Sequence, residues 1–433
     1  MSINSSNQPV PGSFLLDALE ARQYAALKWL HSQEDATRLP LYSSVDIRDA
    51  GFKAAVVDTN LFPAGFNNLC DHGLKDAALF FRFAIQRRVP DAKNILIITE
   101  EHTRNTWYLE NVRVLQSIIE EAGFRADIAT FLTIQPAFCE TIKFAEFETA
   151  TAQHVRIHCL KNILYEIEND QRQVDLVILN NDLTKGIPDI LKHSSIPVYP
   201  SAYAGWHSRL KSEHFYHLNI LTEQFAGIIG VDPWFFSTRY RTIDNVNLNE
   251  EKDRRYIRDV THDLFAEVER KYHEHSIDEK PYFIMKPDYG TYGMGVLAIE
   301  EPDDILKLNS KQRSKLYSGK GSRVNDRWMI QEGIPTICTV DGKAGEVCMY
   351  QIENHLIGGF YRFNVEKGSR DNLNTKGMNF KKMCPHDDEC KECDYPGRGA
   401  EHSFRVFDFY RILARIAAVA AQREIIRLEE CKA

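Results

Sequence analysis

No apolar run in the chain approaches the ~20 residues that a membrane span requires. The first residues, Met-Ser-Ile-Asn-Ser-Ser-Asn-Gln, lack the basic start and apolar stretch of a secretory signal. There is no excess of positive charge either. Lys and Arg number 53 against 61 Asp and Glu, for a net charge of -8. That balance excludes a broad nucleic-acid footprint, though not a local basic pocket for a small anion. Internal repeats and low-complexity tracts are absent. The nine cysteines are odd in number, scattered and often set in apolar runs, so reduced thiols are expected rather than a disulfide framework. These absences predict a soluble, cytoplasmic protein acting on small molecules, with no membrane and no nucleic-acid partner; homo-oligomerisation stays open.

What is present is ordinary globular composition, 43% hydrophobic and 26% charged over 433 residues. That length exceeds one compact domain. In the first half, short β-branched runs (Ala54–Val57, Asn94–Thr99, Val174–Leu179) alternate with helix-period segments (Asp76–Arg88, Trp107–Ala122). Such alternation predicts a largely parallel sheet. Pro197 and Pro200 then punctuate the chain, and two helices follow, from Lys211 and over Asp253–His275. From Tyr282 onward short strands and glycines dominate, before a last helix over 407–428 that reads as a buried strut. The expected division is an N-terminal α/β region, 1–205, and a second region, 206–433.

The most informative segment is Tyr282-Phe-Ile-Met-Lys286-Pro-Asp-Tyr-Gly290-Thr-Tyr292-Gly293-Met-Gly295, followed by the strand Val296–Ile299. A strand ends in a lysine and passes through three spaced glycines into another strand. Glycines let backbone N–H groups approach phosphate oxygens, and the lysine adds a point charge. A P-loop and a dinucleotide fingerprint are both excluded, because each leads into a helix. The 286–296 loop joins two strands, so it reads as a flap; the bland alternative is a Gly-rich hairpin. Further on, Trp328-Met-Ile-Gln331-Glu332-Gly-Ile334-Pro forms a strand and a turn whose backbone can meet an adenine edge.

In this order the residues resemble the ATP-grasp superfamily of carboxylate–amine ligases. Asn180-Asn-Asp182, Gly205–Ser212 and Gly230-Val-Asp-Pro233 are similar to the domain that precedes the ATP-grasp fold. Lys211 stands where glutathione synthetases carry a nucleotide-contacting lysine. From Phe14 to Leu428 the chain looks like one bacterial glutamate–cysteine ligase family of this type, on the stretches Asn180–Gly186, Lys286–Gly295, Gly358–Asn364 and Asn372–Gly377. The resemblance implies an ATP- and Mg²⁺-dependent enzyme joining glutamate to cysteine through a γ-glutamyl phosphate, the first step of glutathione biosynthesis. The rivals are a glutathione synthetase-like or other amino-acid ligase, and a nucleotide-binding protein without catalysis.

Acyl-phosphate chemistry needs cations at the transferring phosphoryl group and exclusion of water. Lys211 and Lys286 are the expected phosphate contacts, Gly290, Tyr292, Gly293 and Gly295 the flap, and Gln331, Glu332 and Ile334 the adenine hinge. Arg362, with Arg370 as substitute, is the expected stabiliser of transition-state charge. Period-two alternation puts Arg362 beside Asn364, and an extended 370–376 would align Arg370 with Asn372, Asn374 and Lys376 as substrate donors. The Glu-x-Asn metal pair of the relatives is missing after Gly377, which leaves Glu346 and Asn364 as the expected Mg²⁺ ligands. Separately, Cys384, His386, Cys390 and Cys393 could hold a structural zinc ion, an inert loop being the plainer reading.

Overall fold

The computed structural model describes residues 13–131, 143–192, 195–290, 295–317, 326–384 and 403–431. It is a mixed α/β arrangement of three sheets. The first runs in the order Phe144–Glu148, His154–Cys159, Arg125–Thr130, Asn94–Thr99, Leu176–Asn180, Val198–Tyr199. All its neighbours are parallel except the edge strand Phe144–Glu148. Asn94–Thr99 and Leu176–Asn180 are almost wholly buried, as continuous apolar strands in a covered parallel sheet should be. The helix Thr106–Glu121 packs on this sheet through Leu109, Val112, Leu115 and Ile119, spaced three or four apart. Asn105 starts it by accepting the Tyr108 N–H at 3.1 Å.

The strand expected at 54–57 forms as Ala54–Asn60 but does not join the parallel sheet. It pairs antiparallel with Ser43–Asp49 in a second sheet, ordered Met378–Met383, His355–Asn364, Lys343–Ile352, Ser43–Asp49, Ala54–Asn60. The reason is the preceding strand. Ser43–Asp49 alternates polar and apolar residues and is joined to 54–60 by a tight turn, so it makes a hairpin rather than a β-α-β unit. One face of this sheet (Val45, Ile47, Val347, Met349) buries the helix Ser403–Glu430 through Phe409, Leu413, Ile416 and Ala417. That helix is the strut the pattern implied.

The third sheet is antiparallel throughout, ordered Leu297–Ile299, Phe283–Pro287, Arg327–Glu332, Tyr240–Asp244. The helix Glu251–Glu274 covers it with Ile257, Leu264, Phe265 and Val268. Two further expectations change. Cys159 is disulfide-bonded, while Cys70, Cys338, Cys348, Cys384 and Cys431 carry thiols. Residues 370–376 are not extended. Arg48 donates to the carbonyls of Ser369 (3.3 Å) and Asp371 (2.6 Å), and Asn372 Oδ1 accepts the Asn374 N–H at 3.0 Å, so the segment is pinned as an irregular turn. Among the described residues, no helix is long and apolar enough to cross a membrane.

Candidate active site

A cavity of about 610 Å³ opens where the three sheets meet. Its floor is the outer face of the second sheet. Period-two alternation and the strand register bring together Asp58, Ser44, Asp46, Arg48, Glu346 and Arg362. Opposite stand Ile284, Lys286 and Gln331 of the third sheet. A third wall is the loop after Leu176–Asn180, with Asp182, Thr184 and Lys185. That loop lies at the C-terminal edge of the parallel sheet, where strand order reverses on either side of Asn94–Thr99. Ligand crevices of open α/β sheets form at such a switch point.

The floor is an ionic chain. Arg362 Nη1 lies 2.8 Å from both Asp46 Oδ2 and Glu346 Oε1, and Arg48 Nε lies 2.9 Å from Glu346 Oε2. Burial raises the Glu346 carboxyl, but Arg48 and Arg362 outweigh it and hold the group below the usual range. Asp46 goes the other way: burial, Glu346 and Asp58 together overcome Arg362 and push it up.

Two lysines converge on Asp58 from different elements. Lys211 Nζ is 3.3 Å from Asp58 Oδ1 and 4.1 Å from the Trp206 ring centroid. Lys286 Nζ donates to the Val57 carbonyl at 3.3 Å. Burial and the neighbouring Lys211 charge push Lys286 down to about 8, against the pull of Asp58 and Asp288. Asp58 is held well below the usual carboxylate range, Lys211, Lys286 and Arg209 overriding its burial. Lys211 opens the helix Lys211–Ile229, and Asp288 fixes that end. The buried Asp288 carboxylate accepts from Ser212 N (2.7 Å), Ser212 Oγ (2.6 Å) and Arg327 Nε (2.6 Å).

Of the residues singled out in the sequence, Lys211, Lys286, Gly290, Gln331, Glu332, Ile334, Glu346, Arg362, Asn372 and Asn374 line this one cavity. Tyr292 and Gly293 lie outside the described residues. Gly295 stands beyond the lining; its φ is +70°, and a Cβ there would lie 2.6 Å from the Leu316 carbonyl oxygen. Glycine at 295 is thus required by packing. The Glu332 carboxylate is occupied by Lys53 Nζ (2.6 Å), Trp234 Nε1 (3.0 Å) and Arg239 N (2.9 Å), so it is not free for a ligand. Arg370 turns away to Glu300, 2.9 Å off, and stacks over Tyr282. Lys376 is exposed, and Asn364 is buried against Thr375 and the Lys376 carbonyl.

Sequence reasoning missed Asp46, Arg48 and Asp58. The alternation in Ser43–Asp49 was the available signal, but the strand's partner lies near residue 346. Cys384 Sγ is 3.5 Å from Cys70 Sγ and 3.9 Å from His72 Nδ1; His386, Cys390 and Cys393 lie outside the described residues. The one close trio of metal-ligating types among the described residues is Asp232, Glu274 and His275. The Lys271 ammonium already sits between two of them, 2.6 Å from Asp232 and 2.9 Å from Glu274.

A family profile described as GshA, glutamate-cysteine ligase, matches residues 17–425. The chain belongs to the glutamate–cysteine ligase family. A crystal structure from Methylobacillus flagellatus KT, of a protein provisionally described as a gamma-glutamylcysteine synthetase, superposes with a TM-score of 0.83 at 31% identity, covering 98% of each chain. No curated protein matches. The protein is therefore a ligase, and membership of the family implies use of ATP and a divalent metal ion. The cavity suits both. Lys211 and Lys286 supply cations for phosphate. Asp46, Asp58 and Glu346 line the cavity with the carboxylate oxygens that a small divalent cation prefers, each now ion-paired to Arg362, Lys211 or Arg48.

Proposed function

We propose that the protein is an ATP-grasp-type glutamate–cysteine ligase that forms γ-glutamylcysteine through a γ-glutamyl phosphate, opening glutathione synthesis in the cytoplasm. The observation that carries this reading is the convergence of Lys211 and Lys286 beside the Asp46–Arg362–Glu346–Arg48 chain in one cavity.

ATP would lie between the two antiparallel sheets, its adenine at the Gln331–Ile334 backbone and its phosphates at Lys211 and Lys286. A Mg²⁺ ion bound among the carboxylates of the floor, Asp46, Asp58 and Glu346, would offset phosphoryl charge. Glutamate, with two carboxylates, needs donors; Asn372, Asn374 and Lys185 are among those the walls offer. Arg362, which lines the cavity, would lie where the γ-carboxylate meets the phosphoryl group and would stabilise the charge that develops during transfer. Two carboxylates hold the guanidinium in place, so little reorganisation accompanies the step. The cysteine amine then attacks the acyl carbon, the C–O bond to phosphate breaks, and the departing phosphate can take the amine proton. The flap around Gly290 would keep water from the acyl phosphate.

The test is ADP formation by the purified protein with Mg-ATP, glutamate and cysteine, with the product identified by mass. One γ-glutamylcysteine per ADP is expected, with no turnover when either amino acid is omitted. Turnover with γ-glutamylcysteine plus glycine instead would transfer the protein to the glutathione synthetase reaction.

A further inference from the structure

Beside the ionic chain the cavity floor carries a strip without charge. Met378 and Phe380 alternate along the edge strand, so both face the cavity, and each is 39% exposed. Phe380 meets Phe360 edge-to-face at 5.1 Å, Phe360 meets Tyr350 at 5.4 Å, and Tyr350 meets Phe66 at 5.4 Å. The last three rings are buried, so the exposed end of the ladder is rooted in the core. The turn beneath it is equally tight, since any side chain at Gly65 would collide with the Tyr350 hydroxyl and the Phe360 ring. In register, Phe380 is the partner of Arg362 and Met378 that of Asn364. The apolar strip begins where the ionic chain ends.

Single exposed apolar side chains are ordinary on any surface. Two on one face of a charged cavity, held by a rigid aromatic ladder, are a place for an apolar group of a ligand. We infer that this strip receives the side chain of the amine substrate, and that Phe380 and Met378 set the preference for a thiol over a hydroxyl there. The inference rests on the ligase reading above and extends it to the acceptor.

The chemistry of the three substrates separates them. Glutamate and the triphosphate would bring charge against hydrocarbon, at a large desolvation cost. Adenine has apolar faces, but its expected hinge at Gln331–Ile334 belongs to the opposite sheet. The CH₂SH group of cysteine is compact, weakly hydrated and polarisable, and sulfur packs favourably against aromatic rings and methionine. Adjacency to Arg362 is also what the reaction needs, because the amine must reach the acyl carbon formed there. A serine hydroxyl placed on the strip would lose its water and gain no partner.

The test compares full-length wild type with Phe380→Ala, Met378→Ala and Phe380→Leu, after thermal melts have verified folding. Cysteine, 2-aminobutyrate (an ethyl group in place of CH₂SH) and serine serve as acceptors. The alanine variants should raise KM for cysteine about 10- to 200-fold, the range expected for losing a hydrophobic contact in a specificity pocket. KM for glutamate and for ATP should stay within about twofold, and Phe380→Leu should recover part of the loss. Wild type should accept 2-aminobutyrate well ahead of serine, and the alanine variants should narrow that gap. A rise in KM for ATP or glutamate instead would assign the strip to another substrate and overturn the inference. Unchanged constants in an active enzyme would overturn it alone; a wild type without cysteine-dependent product would remove the ligase reading as well.

Discussion

Lys53 lies buried with its ammonium 2.6 Å from Glu332 Oε1 and 4.0 Å from the Trp234 ring centroid. Burial pushes this lysine down to about 8, although Glu332 pulls the other way. The pair fastens the 43–60 hairpin to the strand Arg327–Glu332, and so fixes one wall of the cavity against another. Removing one partner strands a buried charge, which typically costs ~3–5 kcal/mol. Lys53→Met and Glu332→Gln should each destabilise on that scale in denaturant unfolding, and the double variant by less than the sum. Single-variant losses below about 1 kcal/mol would show that the pair does not lock the walls.

Nucleotide affinity should depend on pH through Lys286. With its pKa near 8 the ammonium is lost as pH rises past that value, and with it an attraction for phosphate. The Kd for Mg-ATP should increase between about pH 8 and 9.5 in wild type, and Lys286→Arg should flatten the profile because a guanidinium does not titrate there. In the nucleotide-free protein the same group opposes folding while charged, and this penalty fades as pH climbs from about 8 toward its ordinary 10.5. Calorimetric titration at several pH values measures the first effect; a flat wild-type profile contradicts it.

Arg362 is expected to act mainly on the rate. Arg362→Lys keeps a cation but loses the fork that spans Asp46 and Glu346, so kcat should fall ~10²–10³-fold with KM for ATP little changed. Arg362→Ala should also lower the melting temperature, because it leaves two buried carboxylates facing each other. Steady-state kinetics giving a loss confined to KM would assign Arg362 to binding alone.

Asp288 should matter for nucleotide binding without touching the nucleotide. Asp288→Ala removes the acceptor for Ser212 and the partner of Arg327, at a cost of ~3 kcal/mol. The first turn of the helix that begins with Lys211 should then loosen. A higher KM for ATP with kcat nearly intact is the expected signature, and Asp288→Asn should restore part of it by still accepting the Ser212 N–H.

What could be read from the chain was local. Lys286 and Gly290 were legible because a strand, a lysine and a glycine loop are contiguous, and Arg362 because its neighbours alternate. Asp46, Arg48 and Asp58 were not, since their meaning depends on a pairing that joins Arg48 to Glu346 across 298 residues. The alternation in Ser43–Asp49 marks a half-covered strand, but nothing within a short window says that it pairs with Lys343–Ile352. The 370–376 segment failed as an extended run for the same reason, because a distant arginine decides its shape.

The floor of the cavity joins residues 43–60 to residues 343–383, and this orders events on the ribosome. The parallel sheet, complete by Tyr199, can assemble while the rest is being made. The early hairpin must wait, one edge unpaired, until the strand Lys343–Ile352 emerges. A product of premature termination before that strand would carry both lysines and Asp58 but lack Glu346 and Arg362, and so would be inert.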